Sequence, residues 1–203
     1  MKKITKIIVG THNKGKFSEL SSLLPRRLKK LSPDNFKIKS PKETGKSFRS
    51  NSQLKAKYFF EKTNIVSISD DSGLCINCLK NKPGIYSARW AKKHGGFKSA
   101  MKRIIKILKE KNKIRKNNKA KFVCNLTIQL SDKKKVTVQG EIKGNISSSV
   151  IGNKGFGYDP IFIPSGYKIT FGQMNKKKKL LLDHRYIAFQ KLKKKLLLNK
   201  FFF

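Results

Sequence analysis

KIIVGTHNKGKFSELSSLLPRRL, residues 6–28, decides the fold. KIIVG (6–10) is a short apolar run that suits a buried strand. THNKG is polar and turn-like. Phe17, Leu20, Leu23 and Leu24 then recur at helical spacing until Pro25, which ends or disturbs the helix. A strand therefore feeds a loop that feeds a helix, the opening unit of an α/β protein. The same stretch nearly spells a phosphate-binding P-loop: Gly10, four residues, then Gly15-Lys16. The hydroxyl that should follow is absent, because position 17 is Phe. Backbone N–H groups at a helix start bind anions without it, and Thr11, Asn13, Lys14 and Lys16 add donors. The stretch can hold phosphate without being a P-loop.

The rest of the chain extends this pattern. FKIKS (36–40) is a possible strand, and PKETG a turn. A helix starts near Ser47 and covers FRSNSQLKAKYFFEK. NIVSIS is a strand ending in DDSG, and LCINCL is another. NKPGIYSARWAKKHGG reads as loop. FKSAMKRIIKILKEK places Phe97, Met101, Ile104, Ile105 and Leu108 on one face of an amphipathic helix. AKFVCNLTIQL and KKVTVQGEIKG alternate around a polar SDKK, the pattern of an antiparallel hairpin. GNKGFGYDPIFIPSGY is a Gly-rich loop entering a short strand, and a last helix begins near Asp183. An apolar tail occupies about 196–203. Strands and helices mix without strict alternation, so the class is α/β with a mixed sheet. The 203 residues fit one domain or two tightly packed lobes.

Charge is the most unusual property. Forty-nine Lys and Arg stand against 11 Asp and Glu, a net +38. A polyanion partner is one reading. Residue usage is the other: Lys, Asn, Ile and Phe are abundant throughout, as AT-rich coding produces, and the lysines are spread along the chain. Either way the surface attracts phosphates and binding is salt-sensitive. No apolar run approaches the ~18 residues of a membrane span. MKKITKIIVG reads as a first strand rather than a signal peptide. Cys75 and Cys78 form a C-x-x-C with no second ligand pair, inside an apolar run, and read as buried reduced thiols; Cys124 is the third cysteine.

In so acid-poor a chain, placed carboxylates carry information. Asp70 and Asp71 end a strand, where α/β proteins bind ligands. Alternation points the two opposite ways, one toward a ligand and one into the loop. Glu43 and Asp159 are isolated loop acids able to hold Mg²⁺ or accept a ligand hydrogen bond. Lys179, His184 and Arg185 supply donors, although by themselves they read as a solvated helix start in a Lys-rich chain.

THNKGK, SFRSNSQLKAKY, SDDSGL, PGIYSARWA, GFGYDPIF, TFGQM and K-x4-HR occur in that order, from residue 7 to about 192. Together they resemble the inosine triphosphate pyrophosphatase family, the XTP/dITP diphosphatases. The resemblance implies an elongated central mixed β-sheet flanked by helices, a single domain over 1–203 with two lobes and the active site in the groove between them. It implies Mg²⁺-dependent hydrolysis of non-canonical purine nucleoside triphosphates (ITP, dITP, XTP) to monophosphate and pyrophosphate by a cytoplasmic homodimer, with no membrane and no specific nucleic acid as partner. Thr11, His12, Asn13, Lys14, Gly15 and Lys16 would cradle the triphosphate. Asp71 would be catalytic and, with Glu43, hold the metal. Ser72 would contact substrate. Phe156, Gly157, Tyr158 and Asp159 would form the base pocket, completed by Lys179, His184 and Arg185.

The chain departs from the family pattern at Lys42, where an acid is common before Glu43. It departs again at Ser50, commonly acidic, and at Asp183, commonly Ser. Three rival readings fit parts of the sequence. A P-loop NTPase lacks its hydroxyl at position 17. A housecleaning enzyme for modified pyrimidine nucleotides would differ in base preference. A basic nucleic-acid-binding protein would show no turnover.

Overall fold

A computed structural model describes residues 2–111, 118–198 and 201–202. Its elements run β1 Lys2–Lys3, β2 Lys6–Val9, α1 Lys14–Leu23, β3 Lys29–Leu31, α2 Phe48–Thr63, β4 Ser67–Ile76, β5 Lys82–Pro83, α3 Ser87–Lys93 and α4 Phe97–Glu110. They continue with β6 Lys119–Gln129, β7 Lys135–Ile146, β8 Phe162–Pro164, α5 Lys176–Leu180, α6 His184–Leu198 and β9 Phe201–Phe202. Seven strands form a mixed sheet in the order β3-β2-β4-β6-β7-β8, with β5 on β4. β2 pairs in parallel with β3 and β4, while β7 and β8 are antiparallel. This is the α/β class with a central mixed sheet flanked by helices. No helix among the described residues is long and apolar enough to cross a membrane.

The chain divides into two compact units. The first comprises Met1–Asp71, Cys124–Gly140 and Arg185–Phe203; the second comprises Ser72–Val123 and Glu141–His184. In the first, alternation along β2 sends its apolar residues to opposite faces. Ile7 and Val9 pack with Leu20 of α1, Leu126 and Ile128 of β6, and Phe189 and Leu192 of α6. Ile8 packs the other way, against Phe59 of α2 and Ile65. A strand buried on both faces between helices is the arrangement that parallel pairing requires. The second unit is built on Leu74 and Ile76 of β4, Met101, Ile104 and Leu108 of α4, and Phe122, Phe162 and Phe171.

The structure departs from the sequence reading in four places. FKIKS is not a strand: Lys37 takes a left-handed conformation (φ 55°), incompatible with extension. The neighbour of β2 is instead Lys29–Leu31, a short edge strand too polar to show a pattern. SDDSG does not interrupt the sheet, since Ser67–Ile76 is one strand running through both aspartates. The PGIYSARWA segment, read as loop, contains α3. Of the apolar tail, Leu196 is buried and Phe201 packs on the same core, while Leu197 and Leu198 are exposed. Residues 199, 200 and 203 lie outside the described residues.

Candidate active site

Two polar clusters stand out, one in each unit. The first is assembled at the C-terminal ends of β2 and β4. After Val9 the chain enters the 11–13 loop, and Asn13 caps α1 by accepting from the Lys16 N–H at 3.0 Å. The Asn13 N–H in turn donates to Thr11 Oγ1 at 3.2 Å. These bonds order the loop at the opening of α1, where a helix start attracts anions. His12 leans away from that opening. Its Nδ1 lies 2.7 Å from Ser40 Oγ and its Nε2 donates to the Ile38 carbonyl at 3.0 Å, tying the loop to residues 38–40.

Asp70 and Asp71 follow one another on β4 and serve different networks. Asp70, 1% exposed, receives Lys16 Nζ and Arg185 Nε on its Oδ2, each at 3.2 Å. Arg185 Nη1 continues to Glu19 Oε2 at 2.8 Å. Lys16 and Arg185 thus alternate with Asp70 and Glu19 in a chain of opposite charges that is buried except at its half-buried Lys16 end. Asp71 accepts from Asn51 Nδ2 at 3.0 Å and lies 3.7 Å from Lys55 Nζ. Lys55 also donates to Glu43 Oε1 at 2.6 Å. Asn51 accepts from the Gly45 N–H at 2.8 Å, which seats the Glu43 loop beside Asp71. Lys42 is exposed, so the carboxylate facing the cluster is that of Glu43.

Burial sets the electrostatics here. It pushes the Asp71 carboxyl above the usual carboxylate range, against the opposing pull of Lys55 and Lys16. It draws the Lys16 amine down, against Asp70. Burial also acts to lower Lys55, but Asp71, Asp70 and Glu43 outweigh it and hold that amine above its ordinary value. Glu43 and Asp71, from different elements, converge on this one ammonium group. Among the described residues no three His, Cys, Asp or Glu side chains group as a metal site. Two convergent carboxylates are nevertheless the donor set that Mg²⁺ takes when substrate phosphates complete its shell.

The second cluster is built around the GFGYDP loop. Asp159 Oδ2 accepts from the Phe156 N–H at 2.8 Å and from Lys179 Nζ at 2.6 Å. Lys179 Nζ also lies 4.7 Å from the centroid of the half-buried Phe156 ring. Gly155 permits this arrangement with φ +74°, since a Cβ there would lie 2.1 Å from Asp159 Oδ2. Tyr158 is a support: its ring meets Phe97 edge-on at 5.2 Å and its hydroxyl donates to the Ser87 carbonyl at 3.0 Å. His184 is buried and stacked on Phe122, with centroids 4.9 Å apart. Ser72 is half-buried at the start of this unit, where Gly73 closes against the Gly84 carbonyl.

The first cluster therefore gathers Asn13, Lys16, Glu43, Asp71 and Arg185, while His12 turns to residues 38–40 and Lys14 is exposed. The second gathers Phe156–Asp159, Lys179 and His184, without Arg185, which the resemblance had set beside them and which pairs instead with Asp70 and Glu19. The sequence reading missed Lys55, Asn51 and Glu19. Asn51, Lys55 and Phe59 recur every fourth residue of α2 on its buried face. A lysine on an apolar stripe was the available signal. Glu19, one of 11 acids in the chain, directly precedes the buried Leu20.

Comparison with known proteins places these clusters in context. The profile of the Ham1 family matches residues 7–195. The dITP/XTP pyrophosphatase of Zymomonas mobilis is 36% identical over 188 residues, covering 92% of this chain and 90% of the relative. That of Bradyrhizobium diazoefficiens is 38% identical over 196 residues, covering 92% and 93%. Among solved structures, a HAM1 protein from Coxiella burnetii superposes with a TM-score of 0.85 at 26% identity, over 96% of this chain and 99% of that one. The Staphylococcus aureus Ham1 protein gives 0.78 at 30% identity, over 96% and 100%.

Proposed function

The chain belongs to the Ham1 family, and we propose that it hydrolyses non-canonical purine nucleoside triphosphates, ITP, dITP and XTP, to the monophosphate and pyrophosphate. The observation that carries this reading is the convergence of Glu43 and Asp71 on buried Lys55, beside the anion-attracting start of α1. The names of relatives from Zymomonas and Bradyrhizobium support the same activity.

In this reading the Thr11–Lys16 loop and the Lys16 ammonium bind the triphosphate. Asp71 and Glu43 would hold Mg²⁺, which would neutralise charge on the phosphate oxygens. Asp71 orients a water and accepts its proton as the water oxygen attacks the α-phosphorus. The bond from the α-phosphorus to the bridging oxygen breaks, and pyrophosphate leaves with that oxygen. Lys55 offsets the charge of both carboxylates, and Lys16 that of the departing group. Such displacements depend mostly on position and charge neutralisation. Arg185 positions Lys16 by holding Asp70, and Glu19 anchors Arg185. His12 fixes the loop from outside.

The second cluster is assigned to recognition of the base. The Phe156 ring, backed by Lys179, offers a stacking face. Its amide is already bonded to Asp159, so the amides of Gly157 and Tyr158 and the His184 ring are the donors assigned to a 6-keto oxygen. A 6-amino group would set donor against donor, and sites built on such bonds discriminate by about 10⁴-fold or more. Ser72 is assigned to substrate contact. We place the enzyme in the cytoplasm, where the nucleotide pool and the three free thiols both fit, and infer a homodimer from the family resemblance.

Product analysis with ITP, dITP, XTP, ATP and GTP, in Mg²⁺ and in EDTA, tests the reading. The expected products are monophosphate and pyrophosphate, from the first three substrates and only with metal. Diphosphate plus phosphate would overturn it.

A further inference from the structure

Away from both clusters, the second unit carries a basic surface that the hydrolysis does not use. Two clefts open on it and share Asn81 in their walls. The first, about 580 Å³, is lined by Lys119, Lys121, Lys143, Asn77, Asn81 and Asn145. Lys119 and Lys121 are alternate residues of β6 and share a face; Lys143 comes from the neighbouring strand β7. Lys121 is paired with Glu141 at 3.0 Å. Lys119 and Lys143 are exposed, and neither makes an ion pair among the described residues.

The second cleft, about 550 Å³, is different in character. Lys80, Lys82 and Lys93 rim it around Tyr86, Arg89 and Trp90. Tyr86 is 53% exposed, and the Arg89 guanidinium carbon lies 4.5 Å from its ring centroid. A large aromatic left in solvent beside a cation is a platform on which an unpaired base stacks. A lysine-lined groove next to it suits the phosphates on either side of that base. Duplex nucleic acid offers no unstacked base, and a simple phosphate anion gains nothing from the tyrosine.

We propose that this face of the second unit binds single-stranded nucleic acid, with phosphates along Lys82, Lys119 and Lys143 and a base on the Tyr86–Arg89 platform. The proposal involves none of the residues assigned to hydrolysis and stands apart from that reading.

In a chain of net charge +38 any face attracts polyanions, so the test compares faces. A labelled oligo-dT of about fifteen nucleotides is titrated at about 150 mM salt, with binding read by fluorescence anisotropy. The triple variant K82E/K119E/K143E is set against K98E/K102E/K109E, the same charge change on the exposed side of α4. The cleft variant is expected to lose at least about tenfold in affinity and to lower the salt slope by about two. The α4 control is expected to lose less than about threefold. Tyr86→Ala should cost about fivefold or more on the same oligonucleotide. A wild-type kcat for ITP at saturating substrate in every variant reports intact folding. Equal losses in the two triple variants would mean that binding follows net charge alone and would overturn the proposal. So would an unchanged affinity in Tyr86→Ala, or duplex DNA bound as tightly as the single strand.

Discussion

Single side chains carry the chemistry, and their surroundings decide what each can do. Asp71 is fixed by Asn51 and faces Lys55, which keeps a second partner in Glu43. Asp71→Asn therefore leaves no bare ammonium group and can still accept from Asn51. Its thermal midpoint should stay close to wild type, while kcat for ITP falls about 10³-fold, the loss expected when a proton acceptor is removed. A near-normal kcat would take Asp71 out of the mechanism. Cysteine provides the opposite case, a reactive group made inert. Burial pushes the Cys75 thiol up to about 11, partly offset by Lys121. At about pH 8 its thiolate fraction is roughly a hundredfold or more below that of a free cysteine, and iodoacetamide labelling followed by mass spectrometry should slow in proportion. The rate should climb about tenfold per pH unit until that value is reached. Folding raises this pKa, so its contribution to stability is complete below the ordinary thiol value of 9.0 and is lost as pH rises toward about 11. Legibility at this scale followed contrast. Asp71 and Glu43 stood out because the chain has only 11 acids, whereas Lys55 and Asn51 were hidden by a composition in which Lys and Asn are ordinary.

Elements place those side chains, and the clearest sequence signals were the elements with a strong period. α4 is buried in the rhythm its sequence shows, whereas β6, inside the sheet, is buried on both faces along most of its length, and only β7 keeps part of the alternation. β3 was invisible, because a strand of three residues at a sheet edge has room for no pattern and exists through pairing with β2. The PGIYSARWA segment concealed α3 because seven residues behind a Pro-Gly pair read as turn chemistry. The GFGYDP loop was legible as a motif but not as a geometry. Its shape depends on Gly155 at φ +74°, with Asp159 closing back onto the Phe156 amide and Lys179. Gly155→Ala would strain the backbone and push a methyl group against Asp159, loosening the pair that backs the stacking ring. We expect KM for ITP to rise by about tenfold or more with kcat within about threefold, because this loop is assigned to the base and not to the reacting phosphate. Steady-state kinetics decide it, and an unchanged KM with a collapsed kcat would move the loop to the phosphate end.

At the scale of the whole molecule the question is what a net charge of +38 does to an enzyme whose substrate is a polyanion. The sequence offered two answers, a polyanion partner or a drift in residue usage, and the structure makes them compatible. The half-buried Lys16 and the buried Lys55, Lys179 and Arg185 are each neutralised locally: Lys16 by Asp70, Lys55 by Glu43 and Asp71, Lys179 by Asp159, Arg185 by Glu19 and Asp70. Few carboxylates remain for the surface, where the excess lysine is carried by exposed faces such as those of α4 and α6. The excess positive field therefore arises mainly outside the reaction centre. Such a field acts on the approach of a triphosphate and not on the bond that breaks, so it belongs to kcat/KM and leaves kcat alone. Raising salt from about 20 to about 200 mM shortens the screening length roughly threefold, to a distance shorter than the protein. We expect kcat/KM for ITP to fall by about tenfold over that range while kcat stays within about twofold, with Mg²⁺ held saturating and ionic strength set by an inert salt. Reversing the charge of exposed lysines on α4 should flatten the dependence without altering kcat. A kcat that fell in step with kcat/KM would instead place the salt effect at the Lys16–Asp70 or Lys55–Asp71 pairs, and the outer charge would then have no part in substrate capture.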